Sequence, residues 1–215
     1  MTHADGQRVS AVDVDTLVIG MGERYDVLVT GSDPGAWLLV AGPVDTSVPG
    51  VVAPFLYRGY LPSPAPVLVW PQTLLRGRTL TYDDLQPEGT LPIGGSQPRS
   101  LPLLLSGGMG MGRNEAWTIN GERYPNASPL RIREGEWIRL EMRNQSMVRH
   151  PMHLHGHFFR VVGARGLSGL KDTVLVDPMD RKDVVFLADH PGRWMLHCHH
   201  AYHMEAGMAR VLEYA

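Results

Sequence analysis

The segment His197-Cys198-His199-His200-Ala201-Tyr202-His203-Met204-Glu205-Ala206-Gly207-Met208 holds the only cysteine of the chain, set between two histidines. A further histidine follows that cysteine by five residues and a methionine by ten. One thiolate, imidazoles and a thioether are the soft donors of a copper electron-transfer centre, built from two His, one Cys and a weak axial Met. A second segment, His150-Pro151-Met152-His153-Leu154-His155-Gly156-His157, lies upstream and supplies the imidazole that the first one lacks. Of the ten histidines, only His3 and His190 fall outside the two segments.

Side chains alternate between the two faces of a strand. His153 and His155 therefore share one face, His197 and His199 share another, and Cys198 must point the opposite way from its neighbours. Two such His-x-His pairs side by side place four imidazoles around a common space. A thiolate site and an imidazole cluster then lie on opposite sides of one strand, a few bonds apart, an arrangement suited to passing an electron from one metal to another. His203 returns to the Cys198 side if the chain turns after His199, and Met208 approaches as the axial ligand. Pro151, with its fixed φ, is expected to interrupt the strand and free His150 for the Cys198 side. The ligand set of one centre is then His150, Cys198, His203 and Met208.

Blander readings exist for each part. A lone His-x-His pair on a strand is commonly structural, and a lone buried Cys is commonly a small hydrophobe. Structural zinc sites favour several Cys and leave the methionine without a use. The complementarity of the two segments is what argues for copper.

The elements that must position these groups read as strands. Residues 9–30 alternate on either side of Gly20-Met21-Gly22-Glu23 and predict two strands joined by a turn, with another strand at Ala36–Ala41 and apolar residues returning at Val51–Tyr60. Prolines at 62, 64, 66, 71, 87 and 92 mark a linker. Beyond it, Asn120-Gly121 is a hairpin signal. Further strands are expected within Leu130–Met142, Met152–Val162, Thr173–Val176, Val184–Ala188, Arg193–His199 and Met208–Tyr214. Short strands separated by turn residues predict an all-β fold, a β-sandwich. A net charge of −2 gives no sign of a nucleic-acid partner or an anionic membrane. No apolar run reaches the length of a membrane span, and the first residues carry no signal-peptide pattern. One cysteine excludes an intrachain disulfide.

The two histidine segments resemble the third and fourth copper motifs of the multicopper oxidases, the laccase and copper-resistance oxidase family. Lys171-Asp172-Thr173-Val174 and Pro191-Gly192-Arg193-Trp194 also resemble the last domain of that family, in structural roles. The similarity runs through residues 99–215, and residues 8–30 resemble the end of the middle domain more weakly. The resemblance implies a cupredoxin-like Greek-key sandwich at 99–215. Part of a second cupredoxin domain is expected at 1–63 and an interdomain linker at 64–98. It implies type 1 copper on His150, Cys198 and His203, the catalytic electron-entry residues, with Met208 axial. It further implies type 2 copper on His153 and type 3 copper on His155, His197 and His199, with His157 and His200 at non-ligand positions.

The implied activity is oxidation of a phenol or a metal ion such as Cu(I) at type 1 copper, with dioxygen reduced to water at a three-copper cluster. The expected setting is periplasmic or secreted. The family completes that cluster with two more His-x-His motifs, which this sequence lacks, so the chain is expected to be the C-terminal portion of such an oxidase. It is expected to be inactive without the missing N-terminal half. Several bacterial relatives carry a glutamate directly after the second type 1 histidine. Met204 stands there in this chain, with Glu205 next, which leaves the proton route open. The alternative to an oxidase is a type 1 copper electron-transfer or copper-binding module. Two weaker features remain: Met109 and Met111 as soft Cu(I) donors or incidental loop residues, and Asn126-Ala127-Ser128 and Asn144-Gln145-Ser146 as glycosylation acceptors or ordinary turn chemistry.

Overall fold

A computed structural model describes residues 1–44, 50–59, 75, 77–91, 97–108 and 116–215. Met109 and Met111 lie outside the described residues, as do Tyr60 and much of the expected linker. Contacts divide the chain into two compact units. One comprises Met1–Val12, Ile19–Asp26 and Thr81–Ala215, and the other Asp13–Val18 and Val27–Leu80.

In the first unit the N-terminal residues form a three-stranded ribbon of β1 (His3–Ala4), β2 (Gln7–Arg8) and β3 (Tyr25–Asp26), ordered β2-β1-β3. Asp5 (φ 49°) and Gly6 (φ 77°) make the two-residue turn, with the positive φ at both positions that such a hairpin requires. The two strands predicted over residues 9–30 reduce to Tyr25–Asp26. Val9 makes only an isolated bridge, and Ser10 and Val12 donate single bonds to Gln86 O and Met1 O. Alternation marks a side chain's preferred surface but does not provide a ladder partner.

The second unit carries the hairpin of β4 (Ala36–Ala41) and β5 (Val51–Leu56), paired from Ala36↔Leu56 to Ala41↔Val51. Its apolar side chains Trp37, Leu39 and Phe55 are exposed.

The rest of the first unit is a sandwich. Its strands are β6 (Arg99–Ser106), β7 (Thr118–Ile119), β8 (Leu130–Ile132), β9 (Trp137–Asn144), β10 (His150–Leu154), β11 (Phe159–Gly163), β12 (Gly166–Lys171) and β13 (Thr173–Val176). They continue with β14 (Arg181–Leu187), β15 (Arg193–Cys198), the short helix α1 (Ala201–Glu205) and β16 (Ala209–Tyr214). One sheet is ordered β13-β10-β15-β16-β8 and the other β12-β11-β14-β9-β6-β7. Leu103, Ile138, Leu140 and Phe186 from the larger sheet meet Met152, Leu154, Val174 and Leu196 from the smaller in one buried core. Among the described residues no helix is long and apolar enough to cross a membrane.

Two local expectations change. Met152–Val162 is not one strand. It divides into β10 and β11, in different sheets, because Gly156 turns the chain at φ 71° with the Trp194 ring packed where a Cβ would stand. Nor does Pro151 interrupt β10. It pairs with Leu175 inside the strand, and its carbonyl accepts the backbone N–H of His199 at 2.6 Å. His150 and His153 face opposite ways simply because they are an odd number of residues apart.

The ribbon is tied to the sandwich through charge. Lys171, at the end of β12, is fully buried, with Nζ 2.9 Å from Asp5 Oδ2 and 3.2 Å from Glu23 Oε1. Asp5 Oδ2 also accepts the backbone N–H groups of Asp172 and Thr173, and Tyr82 donates its hydroxyl to Glu23 at 2.7 Å. Removing one partner of such a network strands the others in an apolar setting. Lys171→Met is expected to destabilise the protein by about 3–5 kcal/mol, read from urea denaturation at pH 7. A midpoint unchanged from wild type would contradict this account.

Candidate metal centre

β10 and β15 run antiparallel at the centre of the five-stranded sheet, with Met152 opposite Cys198 and His153 opposite His197. Even-numbered residues of both strands face the core. His150 and Cys198 lie there fully buried, and Met152, Leu154 and Leu196 pack around them. After β15 the chain turns into α1, which returns His203 to the same side. His150 Nδ1 and His203 Nδ1 are 3.2 Å apart, and Cys198 Sγ lies 3.7 and 3.6 Å from them. Met208 is fully buried beside this group. Its N–H donates to His203 O and its carbonyl accepts from Cys198 N.

The surroundings fix the rings. His203 is stacked between Trp117, at 3.9 Å, and His200, at 4.1 Å. Burial pushes His150 down to about 3 and His203 to about 4, so both imidazoles stay neutral with a lone pair to offer. Burial also pushes the Cys198 thiol up to about 12. A bound cation must therefore displace its proton.

Odd-numbered residues carry the second group on the other face of the sheet. His155 Nε2 lies 3.1 Å from His197 Nε2, and the His153 ring is 4.6 Å from that of His155 and 5.7 Å from those of His197 and His199. All four sequence-predicted imidazoles converge. His197 Nδ1 donates to Cys198 O at 2.9 Å and His153 Nδ1 to Asp172 O at 2.9 Å, which leaves Nε2 of each carrying the lone pair, that of His197 turned toward His155. Burial pushes His197 to about 4. Gly22 (φ 90°) backs onto His199, with the ring 2.9 Å from where a Cβ would stand.

Asp172 was read as structural, yet it touches this group. Burial favours its neutral form, but the His153 ring beside it and hydrogen bonds from Arg24 and Thr173 outweigh that and hold its carboxyl well below the usual range. Glu205 is exposed on α1. His157 approaches Asp189 and His190 closely enough to suggest a third metal group. Its Nδ1 donates to His155 O and its Nε2 accepts from Tyr214 OH at 2.6 Å, so no lone pair is left. Sequence reasoning assigned Trp117 no part in the site, and it marked Gly22 only as a turn residue and Ser146 only within Asn144-Gln145-Ser146.

Residues 97–215 match the sequence model of a family described as multicopper oxidase, and residues 1–54 match a second model with the same description. The chain belongs to the multicopper oxidase family. It is 39% identical to the multicopper oxidase MmcO of Mycobacterium tuberculosis (strain H37Rv) over 216 residues, spanning 100% of this chain and 41% of that protein. It is 37% identical to copper resistance protein A of Escherichia coli over 134 residues, 62% of this chain and 22% of that one. The chain thus spans less than half the length of these curated relatives. The crystal structure of Fet3p, a multicopper oxidase that functions in iron import, superposes with a TM-score of 0.77 at 20% identity. That superposition covers 99% of this chain and 50% of Fet3p, and shows the cupredoxin fold.

Copper is the metal that the multicopper oxidase family implies, and the donors fit it. One thiol and two neutral imidazoles converge in a site too buried for water to compete, the soft set that selects copper over harder ions. The pH dependence follows from the same burial. With His150, His197 and His203 depressed from 6.5 to between about 3 and 4, the unfolded chain binds protons below pH 6.5 that the native chain refuses. The metal-free protein is expected to be most stable above pH 6.5 and to lose stability as pH falls toward 4, read from urea midpoints at pH 7 and pH 5. Equal midpoints would mean that these rings are not buried in the neutral form.

Proposed function

We propose that this chain supplies the electron-entry copper site and half of the oxygen-reducing copper site of a laccase-like oxidase. The observation that carries this reading is the placement of Cys198 between His197 and His199. The sulfur faces two imidazoles on the core side, while its two neighbours face two more on the other. His150, Cys198, His203 and Met208 would hold type 1 copper, His153 would hold type 2, and His155, His197 and His199 would hold type 3. Copper bound at the first group would supply one-electron oxidation of a phenol or a metal ion such as Cu(I), and copper bound at the second, with further ligands, would supply reduction of dioxygen to water.

The chain's own residues bind and insulate. Trp117, Met152 and Leu154 exclude water around the sulfur, and the backbone of Cys198 is the short covalent link to both neighbouring imidazoles. Carbonyls at Asp172 and Cys198 hold the Nδ1 protons of His153 and His197, keeping both rings in one tautomer. The four imidazoles are about half of what the resemblance assigns to a three-copper cluster. Oxygen reduction is therefore proposed to need imidazoles beyond those of these 215 residues. We also propose the domain order of the resemblance, with residues 1–63 from the middle cupredoxin domain, and a periplasmic or secreted setting.

Copper-loaded protein is expected to show the strong blue thiolate-to-copper absorption, and Cys198→Ser to abolish it while copper stays on the four-imidazole group. Blue colour surviving Cys198→Ser would refute the site. Met208→Leu removes a weak donor and is expected to raise the copper potential with the metal retained. An unchanged or lower potential in a redox titration would show that Met208 is not axial. Oxygen uptake with a phenolic donor tests the oxidase itself. It is expected at the level of free copper for this chain alone and restored when the N-terminal half of a relative is supplied. A blue protein that shows no uptake with that half present would favour the electron-transfer module instead.

A further inference from the structure

What faces Nε2 of the fully buried His150 decides what its Nδ1 can do. Asn144, the last residue of β9, points inward and is 1% exposed. Its Nδ2 lies 2.7 Å from Val148 O, 2.9 Å from Asp177 O and 3.3 Å from Val176 O. Carbonyls only accept, so the amide NH2 must face them and Oδ1 is left as an acceptor on its other side. That oxygen receives both the backbone N–H and the hydroxyl of Ser146, each at 2.8 Å.

Ser146 is itself buried, and Val148 O at 3.2 Å is a second oxygen acceptor in reach of its hydroxyl hydrogen. With its hydrogen directed to these oxygens, Ser146 Oγ offers a lone pair to His150 Nε2 at 2.8 Å. Nε2 must then carry the ring proton. Nδ1 keeps its lone pair, facing Cys198 Sγ and His203 Nδ1. The Asn-x-Ser pattern is thus neither a glycosylation acceptor nor an isolated turn. It is a relay of hydrogen-bond polarity from three backbone carbonyls to one imidazole.

We propose that Ser146, oriented by Asn144, is a positioning residue that fixes His150 as its Nε2–H tautomer and so reserves Nδ1 for a metal. The last clause rests on the copper reading above, whereas the tautomer does not. Outer-shell partners of this kind set ligand orientation, and their loss typically lowers metal affinity about 10–100-fold.

The test is imidazole 15N spectroscopy of the metal-free 215-residue protein as wild type, Ser146→Ala and Ser146→Thr, with His157 as an internal reference in its Nδ1–H form. His150 is expected as Nε2–H in the wild type and in Ser146→Thr, which keeps the hydroxyl. In Ser146→Ala the acceptor is gone, and the ring is expected to shift toward Nδ1–H, donating to His203, while His157 is unchanged. Cu(II) titration followed by the blue absorption should then show about tenfold weaker binding in Ser146→Ala and near-wild-type binding in Ser146→Thr. An Nε2–H signal that persists in Ser146→Ala overturns the proposal. So does a His157 signal lost together with that of His150, which would mark a general packing role. Wild-type protein that shows the Nε2–H tautomer but takes up no copper would uphold the positioning role and sink the copper reading instead.

Discussion

Both histidine groups depend on the period-two geometry of β10 and β15. Adjacent side chains on a strand cannot share a face, so His197, Cys198 and His199 are divided between the two sides of the sheet by the backbone alone. The antiparallel register then brings His153 opposite His197 and Met152 opposite Cys198. A slip of one residue would send the cysteine outward and the histidines into the core. That register is held by apolar residues with no alternative: Met152, Leu154 and Leu196 belong to the buried core on the same face as the sulfur.

Burial then gives the two sides different chemistry. On the core side it keeps His150 and His203 neutral and the thiol protonated until a cation displaces the proton. On the other face the rings are fixed by backbone carbonyls, and by Gly22 packed against His199. Asp172 stands where β12 passes to β13, and its carbonyl holds His153 while its carboxylate takes both arms of Arg24. The buried Lys171 next to it is balanced by Asp5 and Glu23 from the ribbon. Asp5, Gly22, Glu23 and Arg24 therefore bear on the cluster from outside the sandwich.

Much of this could be read before any coordinates. The residue types and the odd and even spacings already separated the four imidazoles from Cys198, because strand alternation is a property of the backbone and needs no partner. The strands at Ala36–Ala41 and Thr173–Val176 were legible for the same reason. Where a partner was needed, the sequence misled. Residues 9–30 alternate without a ladder alongside, and the apolar run through Gly156 hides a change of sheet.

Three things required the tertiary structure. Pro151 was expected to separate His150 from His153, but it sits within a paired strand, and parity does the separating. Asn144 and Ser146 belong to no local metal pattern. Their meaning comes from Val176 and Asp177, whose carbonyls reach Asn144 from more than thirty residues away. Trp117 stacks on His203 across a far longer gap in sequence. The sequence alone determined which side chains could bind a metal and on which face of a strand each would stand, since donor chemistry and strand period are local. Which nitrogen of each ring is free, and what holds it, was decided only by folding, because hydrogen-bond polarity is set by groups that the chain brings together from a distance.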